Sequence, residues 1–201
     1  MAHLDFKKTL KDLYGATLKV RQVEAGPGAF LAVDGGGGPG GEAYHKAIQE
    51  LYSIVYTLKF ALKKGGVSDF VVPPLESLWH DSPQKVPDMS KWRWRALIRV
   101  PDTVMQNQVE EAKKSVLDKR GLDASDVKLI QWSEGDCLQV MHVGPYDQVG
   151  AVYAQLRDAA RDLGVTLSGP GHEVYLSDPR RTTPEKLKTI VRMPIGKQRP
   201  S

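Results

Sequence analysis

Residues Lys91–Val100 read KWRWRALIRV, and apolar and cationic side chains alternate along this stretch with Leu97 as the exception. Successive side chains of a strand point to opposite faces, so the alternation predicts a half-buried strand. The apolar face would carry Trp92, Trp94, Ala96, Ile98 and Val100. We therefore expect the tryptophans in a core or pocket and the arginines on a solvated face. This separation argues against a nucleic-acid stacking strip.

The elements on either side of this strand follow one order twice. Before it, the sequence predicts strands at 17–24 and 30–33, a helix over Glu42–Lys64, and a strand region at 70–72 and 75–80. After it come a helix at 103–120, strands at 127–133 and 137–143 forming a hairpin around Glu134-Gly135-Asp136, a helix at 146–163, and strands at 173–176 and 187–193. Strand, strand, helix, strand, strand therefore occurs in both halves.

Residue patterns support a duplication. Pro73-Pro74-Leu75-Glu76 and Pro170-Gly171-His172-Glu173 precede corresponding strands, and each places a glutamate three residues after a proline. We expect an α+β fold of two β-α-β-β modules related by a pseudo-twofold axis, with antiparallel sheets and a ligand cleft between them. The expected parts are a polar lead-in at 1–16, modules at about 17–100 and 127–195, a linking helix at 103–120, and a frayed tail at 196–201.

Composition excludes several classes of protein. The chain has 201 residues, 41% of them hydrophobic, and a net charge of +4, which is an ordinary balance for a soluble domain and makes nucleic-acid binding an unlikely function. Its single cysteine, Cys137, excludes an intramolecular disulfide and a multi-cysteine zinc site. The histidines form no close ligand pair, so no metal is expected. With no apolar run long enough for a membrane span and no signal-peptide pattern, we expect a cytoplasmic location.

A glycine-rich run, Gly35–Gly41, contains the letters G-x-G-x-x-G between a predicted strand and helix. A dinucleotide site would need an acidic residue about 20 positions later, where this sequence has Ile54-Val55-Tyr56-Thr57. A mobile loop is the better interpretation, and no cofactor is expected.

The helix predicted over Glu42–Lys64 has a second apolar stripe, because Tyr52, Tyr56 and Phe60 follow one another at steps of four. A helix with two apolar sides must bury both of them or face a cavity with one. Further aromatic residues lie on predicted strands, so an aromatic pocket is one interpretation of the pattern. The other is that all of these residues belong to an ordinary core.

Glu173 and Tyr175 are two residues apart on one predicted strand and therefore share a face. In an aromatic cleft, desolvation would raise the pKa of the Glu173 carboxyl and suit it to acid–base chemistry. If it stays ionised, it would pair with a cationic ligand while aromatic faces add cation–π attraction. The alternative is a solvent-facing Glu173. Strict alternation also places Glu76 and Trp79 on opposite faces, so both line one cleft only if a bulge redirects the strand.

The sequence resembles the GyrI-like small-molecule-binding domains over about residues 17–194. The matching stretches are Pro74–Trp79 (PLESLW), Trp92-Arg93-Trp94, His142–Asp147 (HVGPYD) and Glu173–Leu176 (EVYL). The resemblance implies two similar modules with a ligand cleft between them. It also implies that Glu173 meets cationic aromatic ligands, and that a stand-alone member such as this one hydrolyses cyclopropane-bearing DNA-alkylating compounds or only binds small molecules.

Our leading interpretation is a stand-alone binder of planar apolar or cationic xenobiotics, with hydrolysis of cyclopropanoids as an added activity that needs no metal or cofactor. Its partner is then a small molecule, and the alternative is an interaction protein that binds gyrase or another macromolecule. The candidate catalytic residues are Glu173 as base or electrostatic stabiliser, with Tyr175 or Tyr56 as proton donor. The candidate ligand-binding residues are Tyr52, Glu76, Trp79, Trp92, Trp132 and Tyr146, with Trp94 as a weaker candidate.

Overall fold

A computed structural model describes residues 3–81 and 86–197. The helices are α1 (Phe6–Thr9), α2 (Lys11–Tyr14), α3 (Glu42–Lys64), α4 (Gln106–Arg120) and α5 (Gly150–Asp162). The strands are β1 (His3–Leu4), β2 (Arg21–Ala25), β3 (Gly28–Gly36), β4 (Asp69–Phe70), β5 (Glu76–Trp79), β6 (Arg93–Val100), β7 (Lys128–Trp132), β8 (Gly135–Val143), β9 (Val165–Leu167), β10 (Gly171–Tyr175) and β11 (Lys188–Lys197). Short 3-10 turns cover Met89–Lys91, Tyr146–Gln148 and Pro184–Lys186.

One large sheet dominates the described part of the chain. Its strands follow the order β2-β8-β11-β10-β5-β6-β3-β7, with β9 added beside β11, and all of these neighbours are antiparallel. A separate parallel pair joins β1 to β4. The predicted α+β class is confirmed, and α3 has the predicted bounds. None of the helices within 3–81 and 86–197 is long and apolar enough to cross a membrane.

The hairpin predicted around Glu134-Gly135-Asp136 is wrong, because β7 and β8 pair with other strands. β2 pairs with β8 through Ala25 and Gly135, and β3 pairs with β7 through Gly28 and Trp132. Residues 21–32 and 128–139 therefore form one long antiparallel ribbon with a break in the middle. Gly135 adopts a φ of +71° where the chain passes from one ladder to the next, so this glycine serves a crossing and not a tight hairpin.

The second half of the sheet repeats the pairings of the first. β3 pairs with β6 and β6 with β5, just as β8 pairs with β11 and β11 with β10, and β5 and β10 meet in the middle. We align β3 with β8 residue by residue and follow the pairings across each half of the sheet to β5 and β10. Glu76 then corresponds to His172, and Ser77 corresponds to Glu173. The proline-based alignment of Glu76 with Glu173 is therefore displaced by one residue. The residue bounds of the two modules stay a prediction.

The alternation of the β6 sequence is reproduced by burial, with one correction. Trp92 and Trp94 are buried on the helix-covered face, while Arg93 and Arg95 pair with Asp81 and Asp34 near the surface. Arg99, expected on a solvated face, is only 6% exposed. Its guanidinium lies 5.3 and 5.5 Å from two phenylalanine ring centres and donates from one terminal nitrogen to a backbone carbonyl 3.1 Å away, so aromatic faces and one hydrogen bond hold the charge inside the protein.

Both ends of the chain are more structured than expected. The supposed lead-in contains β1, α1 and α2 within its described part, and it buries Phe6, Leu13 and Tyr14 in the main core. These three apolar side chains pack the segment against the main core. At the other end, Gly196 and Lys197 continue β11 and pair with β9. Residues 1–2 and 198–201 lie outside the described part.

Candidate functional site

A deep cleft lies over the middle of the sheet, between α3 and α5, with β5 and β10 as its floor. Its volume is about 1880 Å³. The loops before β5, before α5 and after β10 complete the walls. Aromatic side chains account for much of the lining, namely Tyr44, Tyr52, Tyr56, Trp79, Trp92, Tyr146, Tyr153 and Tyr175.

Glu173 is the central polar group of this cleft. Its side chain points from β10 into the lining, where the residue is only 8% exposed. Tyr153 donates a hydrogen bond to Oε1 at 3.0 Å, and Tyr175 donates one to Oε2 at 3.0 Å. Trp79 Nε1 in turn donates to the Tyr175 hydroxyl at 3.2 Å. The carboxylate is thus held by two hydroxyls that come from two different elements.

Burial raises the pKa of Glu173, and the hydrogen bonds from Tyr175 and Tyr153 offset part of that increase. Burial also raises the pKa values of both tyrosines well above the ordinary range, and the neighbouring carboxylate adds to the effect. Among the described residues, no Lys, Arg or His group lies within 4.0 Å of the Glu173 carboxylate. His142 and His172 lower this pKa through space without contacting the carboxylate, so a positive charge on a ligand would supply the direct counter-charge that the described residues do not.

A cluster of aromatic rings forms the inner wall beside Glu173. Tyr44 packs against Trp79 at 5.3 Å between ring centres, and Trp79 packs edge-on against Trp92 at 5.9 Å. On the other side, Tyr146 meets Tyr175 edge-on at 5.5 Å. Tilted and edge-to-face contacts of this kind keep each ring in one orientation.

The structure brings together seven of the nine predicted site residues. The cleft is lined by Tyr52, Tyr56, Trp79, Trp92, Tyr146, Glu173 and Tyr175. Trp94 lies beneath this wall, 5.1 Å from Tyr44, and a side chain at Gly35 would collide with its ring. Tyr56 is 44% exposed at the rim.

Glu76 and Trp132 lie on the opposite side of the sheet, which corrects their expected position. β5 keeps strict alternation, so Glu76 points away from the cleft when Trp79 points toward it. Trp132 belongs to β7 at the far edge of the ladder order, where it packs against Phe30 at 5.7 Å and His172 at 5.4 Å. No bulge redirects either side chain.

Glu76 belongs to a buried ionic network behind the cleft. His172 lies between two carboxylates, 2.9 Å from Glu76 and 2.8 Å from Glu134, and Arg192 lies 3.1 Å from Glu134. Tyr14 donates a 2.6 Å hydrogen bond to the other oxygen of Glu76. Burial lowers the pKa of His172, but the two carboxylates outweigh it and raise the pKa to about 9. The network therefore joins the Glu76 and Glu134 carboxyl groups, the protonated His172 imidazole and the Arg192 guanidinium.

Sequence reasoning missed two tyrosines and a glycine that build the site. Neither Tyr153 nor Tyr44 is among the candidate site residues, although both hydroxyls reach the floor: Tyr153 bonds to Glu173 at 3.0 Å, and Tyr44 bonds to Ser77 at 2.6 Å. A side chain at Gly171 would overlap the Tyr153 ring, so this glycine gives the ring its space. A tyrosine on the apolar face of a predicted helix could have indicated a site residue, because a buried tyrosine hydroxyl needs a hydrogen-bond partner.

Comparisons with known proteins find the same overall fold. An uncharacterized conserved protein from Listeria innocua is 40% identical, superposes with a TM-score of 0.91, and is matched over 96% of this chain and 100% of its own. A hydrolase from Listeria innocua is also 40% identical, with a TM-score of 0.87 and the same coverage. The EcmrR C-terminal domain, at 15% identity, a TM-score of 0.61, and coverage of 89% and 98%, shares the fold.

No match was found among curated proteins. A model of one family matches residues 19–195, which includes the whole sheet up to Ile195, both cleft helices and every residue that surrounds Glu173. A match of that extent, with an aromatic cleft at the centre of the matched region, shows that the chain belongs to the GyrI-like small molecule binding domain family.

Proposed function

We propose that the cleft binds planar aromatic xenobiotics, apolar or cationic, and that the protein protects its cell by sequestering them. One observation carries the proposal: a buried carboxylate, Glu173, held by two tyrosine hydroxyls without a cationic partner in the described residues, sits in an aromatic cleft. Trp79, Trp92 and Tyr146 line the cleft and offer aromatic surface to a planar ligand. A cationic ligand gains both the Glu173 charge and cation–π attraction.

Hydrolysis of a cyclopropanoid compound is a second candidate, and it is favoured because a solved structure 40% identical to this chain is described as a hydrolase. Glu173 would take a proton from a water molecule as the water oxygen attacks a cyclopropane carbon. The ring C–C bond breaks, and its electron pair moves onto the oxygen of a carbonyl group that is conjugated with the ring in the substrate. That oxygen takes up a proton, so the product is the substrate plus one water.

The geometry distinguishes the two tyrosines considered as proton donors. The Tyr175 hydroxyl is 3.0 Å from Glu173, so a proton accepted by the carboxylate can restore one that Tyr175 gives to the substrate. Tyr56 lies on the α3 wall at the rim and is 44% exposed. We therefore propose Tyr175 as the proton donor and Tyr56 as a ligand-contacting residue.

The binding proposal is tested by tryptophan fluorescence with two planar dyes of similar shape, one cationic and one neutral. Trp79 and Trp92 line the cleft, so a bound dye should quench them. In Glu173→Gln, the affinity for the cationic dye should fall by about 10- to 100-fold, since a hydrogen bond to a charged group contributes about 1.5–3 kcal/mol. The neutral dye should bind as before.

Glu111→Gln, on the exposed side of α4, is the matched control and should leave both affinities unchanged. Equal losses for both dyes in Glu173→Gln would contradict the assigned role of the carboxylate. If neither dye quenches the protein saturably, the pocket proposal is wrong, and the alternative of a macromolecular partner such as gyrase gains weight.

Turnover separates the enzyme from the binder. Wild type is incubated with a cyclopropanoid, and the hydrated product is measured by mass spectrometry. We expect turnover to be abolished in Glu173→Gln and reduced in Tyr175→Phe, while Tyr56→Phe retains it. A wild-type protein that binds the compound and never produces the hydrate would contradict the hydrolase candidate and leave the binding function.

A further inference from the structure

The exposed side of α3 carries an aromatic strip that leads out of the cleft. Tyr52, Tyr56 and Phe60 are each one helical turn apart, and their rings are nearly parallel, with 23° and 26° between successive planes. The ring centres are 6.2 and 6.4 Å apart. Exposure rises outward, because Tyr52 is half-buried, Tyr56 is 44% exposed and Phe60 is 62% exposed. We call these three residues the outer strip.

The outer strip is continuous with the cleft. Tyr52 and Tyr56 belong to the cleft lining, and Phe60 extends the same row by one more turn. The cleft volume of about 1880 Å³ exceeds the roughly 300–1000 Å³ typical of pockets for compact ligands. A single planar group beside Glu173 would therefore leave much of the cleft unfilled. The unfilled part includes the section that the outer strip borders.

Charge differs between the two ends. The inner end holds Glu173, which has no cationic partner among the described residues. On the wall facing the outer strip, Asp178 is already paired with Arg180 through contacts of 2.9 and 3.0 Å. The outer end thus offers aromatic surface next to a neutralised carboxylate, a setting that suits an uncharged ring better than a cation.

We propose that the outer strip is a second subsite, which binds a neutral planar group joined to the head group held at Glu173. The natural ligand would then be an elongated molecule with two planar units in line, and this rests on the proposed binding function. The strip is about 12 Å long, since eight residues of helix advance about 1.5 Å each. This length accommodates one fused-ring group lying along the helix.

The test compares two compounds. One is an aminoacridine carrying a short flexible linker, and the other carries a naphthalene at the end of the same linker. We expect the naphthalene conjugate to bind wild type about 5- to 10-fold more tightly than the linker compound. In the double variant Tyr56→Ala, Phe60→Ala, this ratio should fall to about 1, because each aromatic contact contributes about 0.5–1.5 kcal/mol.

Two controls accompany the double variant. Leu117→Ala removes an exposed apolar side chain from α4 and should preserve the ratio. Tyr56→Phe keeps the ring and should also preserve it, which separates stacking from hydroxyl chemistry.

The outcomes distinguish the two proposals. If the linker compound binds but the conjugate binds no more tightly, the outer strip is not a subsite, and the proposed function stands. A ratio that survives in the double variant also overturns the subsite. If neither compound binds wild type, the proposed function and the subsite both fail.

Discussion

The two faces of the β5–β10 strand pair each bury a glutamate, but in opposite surroundings. On the cleft face, Glu173 receives two tyrosine hydroxyls and opens toward a large cavity. On the other face, Glu76 meets His172 and Tyr14 in a closed network. A carboxylate that is already paired stabilises the fold, whereas one left without a counter-charge is available to a ligand. Here the face of the sheet on which a glutamate lies decides whether it is paired within the fold or available to a ligand.

The largest expected effect comes from removing a charge on the network face. Arg192→Met deletes the bonds to Glu134, Gln139 and the Leu13 carbonyl. Breaking a buried ion pair on one side typically costs about 3–5 kcal/mol, because the remaining charge stays desolvated. We expect a loss of that size in urea unfolding, while Arg120→Met, on the exposed end of α4, should change stability by less than about 0.5 kcal/mol. A small loss in Arg192→Met would mean that the network is not a stabilising unit.

The pH dependence of stability should come next in size. The folded pKa of His172 is raised to about 9 from an ordinary 6.5, so folding favours its protonated form. The stabilisation is complete below about pH 6.5 and is lost as the pH rises through 9, with a total of about 3 kcal/mol at 1.36 kcal/mol per pKa unit. Unfolding measured in urea from pH 6 to pH 9.5 checks this. A stability that stays constant over that range would contradict a charged His172.

The third expected effect contrasts the two glutamates directly. Glu76→Gln leaves the protonated His172 with one carboxylate fewer and should cost about 2 kcal/mol. Glu173→Gln removes a buried charge that has no counter-charge among the described residues, and stability should change by less than about 1 kcal/mol or increase. The two variants are compared in parallel by thermal and urea unfolding. Equal destabilisation would show that the two faces do not differ as described.

The smallest effect concerns the tuning of Glu173. Cationic-dye binding requires the ionised carboxylate, so affinity should fall as the pH is lowered through the raised pKa of Glu173. Tyr153→Phe removes a hydrogen bond that lowers this pKa, so the midpoint of the pH profile should move upward. Gly171→Ala should act in the same direction by displacing the Tyr153 ring. An unchanged midpoint in both variants would show that Tyr153 does not tune the carboxylate.

Features that depend on neighbouring residues could be predicted from the sequence. The alternation of Lys91–Val100 placed its tryptophans correctly, and helical spacing gave the exact bounds of α3. The common face of Glu173 and Tyr175 follows from the same two-residue period and agrees with their hydrogen bond. In each case the information lies within one element, where backbone geometry decides the outcome.

Features that depend on distant partners could not be predicted. Trp132 was assigned to the cleft because aromatic residues commonly line pockets, yet its strand pairs with β3, about a hundred residues earlier. The same distant pairing replaces the expected hairpin. Alternation predicted a solvent-facing Arg99, but two phenylalanine rings from other segments of the chain cover its guanidinium. Strict alternation indicates the face on which Glu76 lies, but its partner His172, on a strand about a hundred residues later, could not be predicted.

The long ribbon between residues 21–32 and 128–139 has a consequence for synthesis. Its two strands are separated by about a hundred residues, so the first strand leaves the ribosome on the order of 5 to 20 seconds before its partner at about 5–20 residues per second. During this time β2 lacks its neighbour in the finished sheet, and β3 has an open edge. The nascent chain therefore passes through a period in which unpaired strand edges are exposed to other polypeptides, and chaperones that cover such edges would have their greatest effect then.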